Sequence, residues 1–150
     1  MSMALRVDLR ELDALAQRIE ALAAVDTPGL LDAVGAEVES QTRRRIAEER
    51  QAPEGTPWAA WSPRYAATRH GGHSLLQAEG GLLDSIQYSV AGDTVEVGSN
   101  LIYAAIHQFG GAEVGKPQLP ARPYLGLSPD NLADLGRLVD EWAAGQMEAR

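Results

Sequence analysis

The chain has no cysteine among its 150 residues. That excludes disulfides, thiolate metal sites and cysteine nucleophiles, and it suits a protein made in a reducing compartment. No apolar run approaches the roughly 20 residues that a bilayer-spanning helix needs. The opening Met1-Ser2-Met3-Ala4-Leu5-Arg6 lacks the basic and apolar regions of a secretion signal. A soluble chain made and used inside the cell, with no membrane partner, is the expectation. Lysine is nearly absent as well: Lys116 is the only one, so the positive charge is almost all arginine. The formal net charge is −8. This speaks against nucleic-acid binding as the main task, because domains that grip phosphate are usually basic. An acidic surface still suits DNA that slides past without sticking.

Signatures of catalysis are missing too. There is no G-x-S-x-G elbow and no G-x-x-x-x-G-K-S/T phosphate loop, and spacing pairs no carboxylates. His70-Gly71-Gly72-His73 is the only close histidine pair. Two imidazoles could bind a metal, but the glycines fix neither on a helix face and no third ligand is set by spacing. An exposed flexible loop is the better reading. His107 could serve as a general base, but a histidine packed at an element end and bonded to backbone explains it more simply. No cofactor is expected.

What is present reads as one α+β domain over residues 1–150: N-terminal helices, a small antiparallel β-sheet with a long preceding loop, and a C-terminal helix. Leu9, Leu12, Leu15, Ile19 and Leu22 share one face of a first helix, about Leu9 to Ala24, with Asp8 as cap. Thr27 caps a second helix with Pro28 in its first turn. Leu30 or Leu31, Val34, Val38 and Ile46 form its stripe, and it frays near Arg50. Residues 51–81 carry little regular pattern, apart from a short helical turn over Arg64 to Arg69. Two indoles rarely sit in a free linker, so Trp58 and Trp61 argue that this loop is anchored. Leu82 to Val90 and Thr94 to Gly98 flank a turn at Ala91-Gly92-Asp93 and alternate as a hairpin. Leu82 to Ser85 reads equally well as a helical turn entering the strand. Ile102 to Phe109 suits a helical turn ended by Gly110-Gly111, residues 112–120 an exposed loop or hairpin, and Arg122 to Leu127 a last strand. Ser128-Pro129-Asp130 starts the final helix, whose stripe is Leu132, Leu135, Leu138, Val139, Trp142 and Met147.

Two further groups could carry function. Arg43, Arg44 and Arg45 fan out at about 100° each on a helix, so they make no single basic patch for DNA. They favour the helix dipole instead. Trp58, Trp61 and Tyr65 could stack bases or sugars. In an acidic chain they more plausibly pin the loop to the core or to a neighbouring subunit.

Certain blocks then fall into an order. They are Pro53-Glu54-Gly55-Thr56-Pro57-Trp58; Leu76 with Gly80, Leu82 and Ser85; and Val97-Gly98-Ser99-Asn100. Tyr103-Ala104-Ala105-Ile106-His107-Gln108-Phe109-Gly110 and Pro120-Ala121-Arg122-Pro123-Tyr124-Leu125-Gly126-Leu127-Ser128 follow. Over roughly residues 5–145 this pattern resembles the phage virion morphogenesis family, which includes tail-completion proteins of Mu-like phages and prophages. The last two blocks are the specific ones. Small departures are Ala78-Glu79 ahead of Gly80 and Tyr124 where phenylalanine is common.

The resemblance implies a non-enzymatic structural protein of the head–tail junction, a tail-completion, tail-terminator or neck-ring subunit. It would be located in the virion's tail or neck and in the host cytoplasm during assembly. It also implies a homo-oligomeric ring, often six-fold, with other neck, connector and tail proteins as partners. DNA would pass through the channel without specific binding. A ring needs a closing heterologous interface. Candidate interface residues are Trp58, Trp61, Tyr65, His107, Gln108, Phe109, Arg122 and Tyr124, with the 51–81 and 110–120 loops as carriers. Arg122 would either pair with a carboxylate, on its own or the next subunit, or make an intrachain bond that positions the last strand. The competing readings are an assembly chaperone or scaffold not retained in the particle, a late-operon nucleic-acid-binding protein, and a hydrolase using His70, His73 or His107.

Overall fold

A computed structural model of the protein describes residues 3–8, 26–69, 71, 74–77 and 80–148. The expected first helix, about Leu9 to Ala24, and both histidines of the 70–73 pair lie outside the described residues.

Asp26, rather than Thr27, caps the first described helix, α1 (Thr27–Arg44). Its carboxylate accepts the Gly29 N–H at 3.0 Å and satisfies one of the donors that a helix start leaves unpaired. Leu30, Leu31, Val34, Val38 and Ile46 are all buried, as their spacing predicts. Thr42 sits on the same line and returns its hydroxyl to the Val38 carbonyl at 2.8 Å. The helix then widens into a π-turn, Arg45–Glu49. Arg50 N–H reaches back five residues to the Arg45 carbonyl at 2.8 Å, and Arg50 stops the coil in a left-handed conformation with φ 54°.

The sheet has three strands: β1 (Met3–Asp8), β2 (Gln87–Ala91) and β3 (Thr94–Ser99), in the order β1-β3-β2. The hairpin β2–β3 pairs Gln87 with Gly98 through to Ala91 with Thr94, as alternation predicts. β1 was not foreseen. It pairs antiparallel with β3 from Met3–Ser99 to Asp8–Thr94. Six residues hold too few alternations to declare a strand before its partner is known. Leu82 to Ser85 resolves as a helical turn, α3 (Gly81–Ser85), leading into β2.

α1 packs against β2, β3 and the C-terminal helix α4 (Pro129–Glu148). A Cβ on Gly35 would lie 2.2 Å from the Tyr88 ring, so glycine lets α1 rest on the sheet there. The Tyr88 hydroxyl reaches Asp32 on the same helix at 2.7 Å. On α4, Leu135 and Val139 are buried, and Leu138 and Trp142 pack partly on the core. Leu132 and Met147 are exposed, so the expected stripe is narrower at both ends than the spacing suggested.

Two expectations are corrected in the middle of the chain. The 51–81 loop carries local structure. Ala52 to Gly55 form a tight turn, closed by Gly55 N–H to the Ala52 carbonyl at 2.8 Å. Ser62 caps a short helix, α2 (Pro63–Ala66), one residue ahead of the turn expected at Arg64 to Arg69. Arg122 to Leu127, expected as a strand, pairs with no strand among the described residues. Side chains do the work of a neighbouring strand there. Residues 112–120 hold a single 3-10 turn, Ala112–Val114, within an exposed loop.

Candidate functional site

The two most specific sequence blocks meet in space. The first supplies a short helix, Ala104–Phe109, closed by Gly110 at φ 78°. The second supplies the extended segment 120–128. Arg122 N–H donates to the His107 carbonyl at 2.7 Å. Gln108 Oε1 accepts the N–H groups of both Tyr124 and Leu125 at 3.0 Å. The Tyr124 hydroxyl donates back to the Ala104 carbonyl at 3.0 Å. A Cβ on Gly110 would stand 2.9 Å from the Ala121 nitrogen, so only glycine allows the two backbones this close.

The rest of the segment is held from the other side. Pro123 has no N–H, but its carbonyl accepts Trp58 Nε1 at 2.8 Å. The Tyr124 carbonyl accepts Arg45 Nη1 at 2.7 Å. Arg45 is fully buried and also donates to Asn131 Oδ1. Asn131 and Ser128 exchange bonds at the start of α4, each backbone N–H donating to the other's side-chain oxygen at 3.0 Å. Backbone groups buried without a sheet partner must find other acceptors and donors, and here side chains supply them. Arg45 pays for its burial with a depressed pKa, desolvation being the cause, partly countered by Glu49.

This clip fixes a row of groups at the surface. Arg122 Nε and Nη2 donate to the Ala59 and Ala60 carbonyls at 2.7 and 3.2 Å. That is the intrachain alternative, with carbonyls rather than a carboxylate as acceptors, and it holds the tryptophan-bearing loop rather than a strand. Beside it, the Trp61 and Tyr65 rings meet edge-on, centroids 5.8 Å apart. Arg69 lies 4.7 Å over the Tyr65 ring, a cation–π contact. On the other flank His107 meets Tyr103 edge-on at 5.8 Å. Burial, then the Arg122 charge, lowers the His107 pKa. The neutral imidazole is therefore favoured.

The eight sequence candidates thus divide. Trp58 (6 % exposed) and Tyr124 (0 %) turn their side chains into their own chain, and Gln108 spends its amide on the clip. Burial pushes the Tyr124 phenol up to about 12. Trp61, Tyr65, Arg122 and His107 are brought into one row at the surface. Phe109 is 68 % exposed but sits two residues from His107, about 200° around the helix, so it stands apart from that row. Arg69 and Tyr103 belong to the row and were not among the candidates. Arg45 and Asn131 were missed as well. Arg45 lies seven residues after Val38 on the α1 stripe, and that spacing was the available signal.

Among the described residues no cluster of histidine and carboxylate groups could hold a metal, and no helix is long and apolar enough to cross a membrane.

The model of the phage virion morphogenesis family matches residues 7–143. Protein G of Escherichia phage Mu, named for capsid assembly, is 39 % identical over 95 residues, covering 59 % of this chain and 61 % of the Mu protein. The Mu-like prophage FluMu G protein 2 of Haemophilus influenzae is 42 % identical over 66 residues, covering 43 % of this chain and 47 % of that protein. The chain thus spans less than two thirds of the length of these curated relatives. No solved structure matches it. With a family match reaching across nearly the whole chain and including both blocks of the clip, the protein belongs to the phage virion morphogenesis family.

Proposed function

We propose that the chain is a structural, non-enzymatic subunit of the head–tail junction, a single domain that assembles as a ring of copies and touches neck and tail proteins. The observation that carries this reading is the partly exposed row Trp61–Tyr65–Arg69 with Arg122, His107 and Tyr103, tied to the clip through Arg122 and His107. Aromatic and arginine side chains fixed in place lose little entropy on binding and dominate protein interfaces. The row has neither a paired acid and base nor a nucleophile aligned with a base, so it suits contact better than chemistry. The net charge of −8 suits a channel through which DNA moves without adhering.

The test replaces Trp61 and Tyr65 by alanine together. Both side chains reach solvent, so folding should be kept, as far-UV circular dichroism would show. Heads and tails should then accumulate unjoined. Normal numbers of joined, infectious particles would reject the contact role. A second reading draws on the Mu relative's name: an assembly factor acting on the capsid and leaving the particle. Mass spectrometry of purified virions separates the two, since a permanent subunit is present in fixed copy number and a departing factor is absent.

A further inference from the structure

The three-stranded sheet ends in β2 on one side and β1 on the other among the described residues. The β2–β3 turn holds two residues, Gly92 and Asp93. The flanking pair Ala91–Thr94 is therefore of the hydrogen-bonded kind. Parity then assigns Gln87 and Ser89 to the β3 ladder and turns the N–H and C=O of Tyr88 and Val90 outward. No hydrogen bond among the described residues takes up those four groups. By the same parity, alternate residues of β1, Ala4 and Asp8 among them, direct their main-chain groups away from β3.

Terminal strands are normally blunted by proline, charge or a bulge. β2, Gln-Tyr-Ser-Val-Ala, has no proline and no charged residue, and its register against β3 is uninterrupted. Val90 lies opposite buried Val95, on the face toward α1, yet it is 39 % exposed. Its uncovered side is the free edge. On β1, Leu5 lies on that same face, half-buried against the core.

We propose that copies of this chain join by strand addition, the free edge of β2 on one copy taking up β1 of the next. Both strands run antiparallel to β3, so they are parallel to each other. The junction is then a parallel one and continues the sheet from copy to copy. It is heterologous, the kind of contact that forms a ring when the rotation between copies closes. Leu5 of the added strand comes beside Val90 and covers it. On the opposite face exposed Ala4 meets Gln87 and Ser89, and no like charges oppose each other there. The main chain supplies the affinity, as in other strand additions. A β2–β2 junction would instead be two-fold and stop at a dimer. The proposal rests on the ring reading above and adds the surface that closes the ring.

The absence of cysteine makes the test clean. Ala4→Cys is combined with Gln87→Cys in one variant and with Ser89→Cys in another, all at exposed positions. Within one copy β1 and β2 are two strand spacings apart, about 10 Å. A disulfide needs Cα atoms within about 7 Å, so no intrachain bond can form. Mild oxidation should give a ladder of dimers, trimers and higher species on a non-reducing gel, ending at the ring size and collapsing with reductant. Each single variant should stay monomeric on the same gel.

No ladder in either double variant overturns the proposal, as does a covalent dimer from Ser89→Cys alone. Val90→Pro is the independent check. It removes one outward N–H, leaves the β3 ladder intact, and should abolish assembly by light scattering with an unchanged circular dichroism spectrum. Full-size assembly of that variant, or a wild-type chain that stays monomeric at every concentration, also overturns it. Assembly without a ladder sinks the strand junction and leaves the ring. Absence of the chain from purified virions sinks the permanent-subunit reading whatever the gel shows.

Discussion

Gln108 is the residue whose loss should reveal the clip most directly. Its Oε1 accepts two backbone N–H groups, from Tyr124 and Leu125, both buried. Its Nε2 lies at 3.5 Å from the Leu125 carbonyl, the edge of bonding range, and adds little. Gln108→Ala would strand both donors. An unsatisfied buried donor costs about 1–3 kcal/mol, so the pair costs about 2–6 kcal/mol, with local relaxation favouring the lower half. Gln108→Glu keeps an acceptor oxygen in the same place and loses only the weak donor. It should cost less than half as much as alanine. Equilibrium urea unfolding at neutral pH measures both, provided the slope with denaturant stays constant. An alanine variant within about 0.5 kcal/mol of wild type, the range of an ordinary surface change, would refute the reasoning. So would a glutamate variant as damaged as alanine.

Two other expectations follow from the same region. Gly110→Ala combines a φ of 78° with a Cβ placed 2.9 Å from the Ala121 nitrogen, and backbone cannot yield as a side chain can. It should cost more than about 1 kcal/mol, read as a lowered urea midpoint, and an unchanged midpoint would contradict the close approach of the two blocks. For His107, the folded pKa is below the ordinary 6.5 through burial and then Arg122. Between the lowered value and 6.5 the unfolded chain binds more protons. Stability from this group is therefore complete above about pH 6.5, declines as pH falls through that window and then levels off. His107→Gln should flatten the dependence between pH 7 and 5, and equal slopes for both proteins would reject the assignment.

How much was legible beforehand differs by element. α1 and α4 announced themselves because helical periodicity, caps and prolines are local and repeat over many residues. The β2–β3 hairpin did so through alternation around Gly92-Asp93. The row of surface groups was half legible. Trp61, Tyr65, His107 and Arg122 drew notice as residue types that interfaces favour, whereas Arg69 and Tyr103 join them through ring contacts four residues along the chain, with Tyr65 and His107, a spacing that signals contact only once the local helical turns are known.

By itself the sequence determined α1, α4, the hairpin and, through two ordered blocks, the family. Those properties depend on neighbours along the chain or on a pattern of residue types. Only the tertiary structure decided that Met3–Asp8 is a strand, that Arg45 is buried, and that residues 122–127 are held by side chains in place of a sheet. Each depends on a partner tens of residues away: Leu5 on Val97, Arg45 on Tyr124, Trp58 on Pro123. A buried backbone group needs a hydrogen-bond partner, but its sequence does not say which distant residue will provide it.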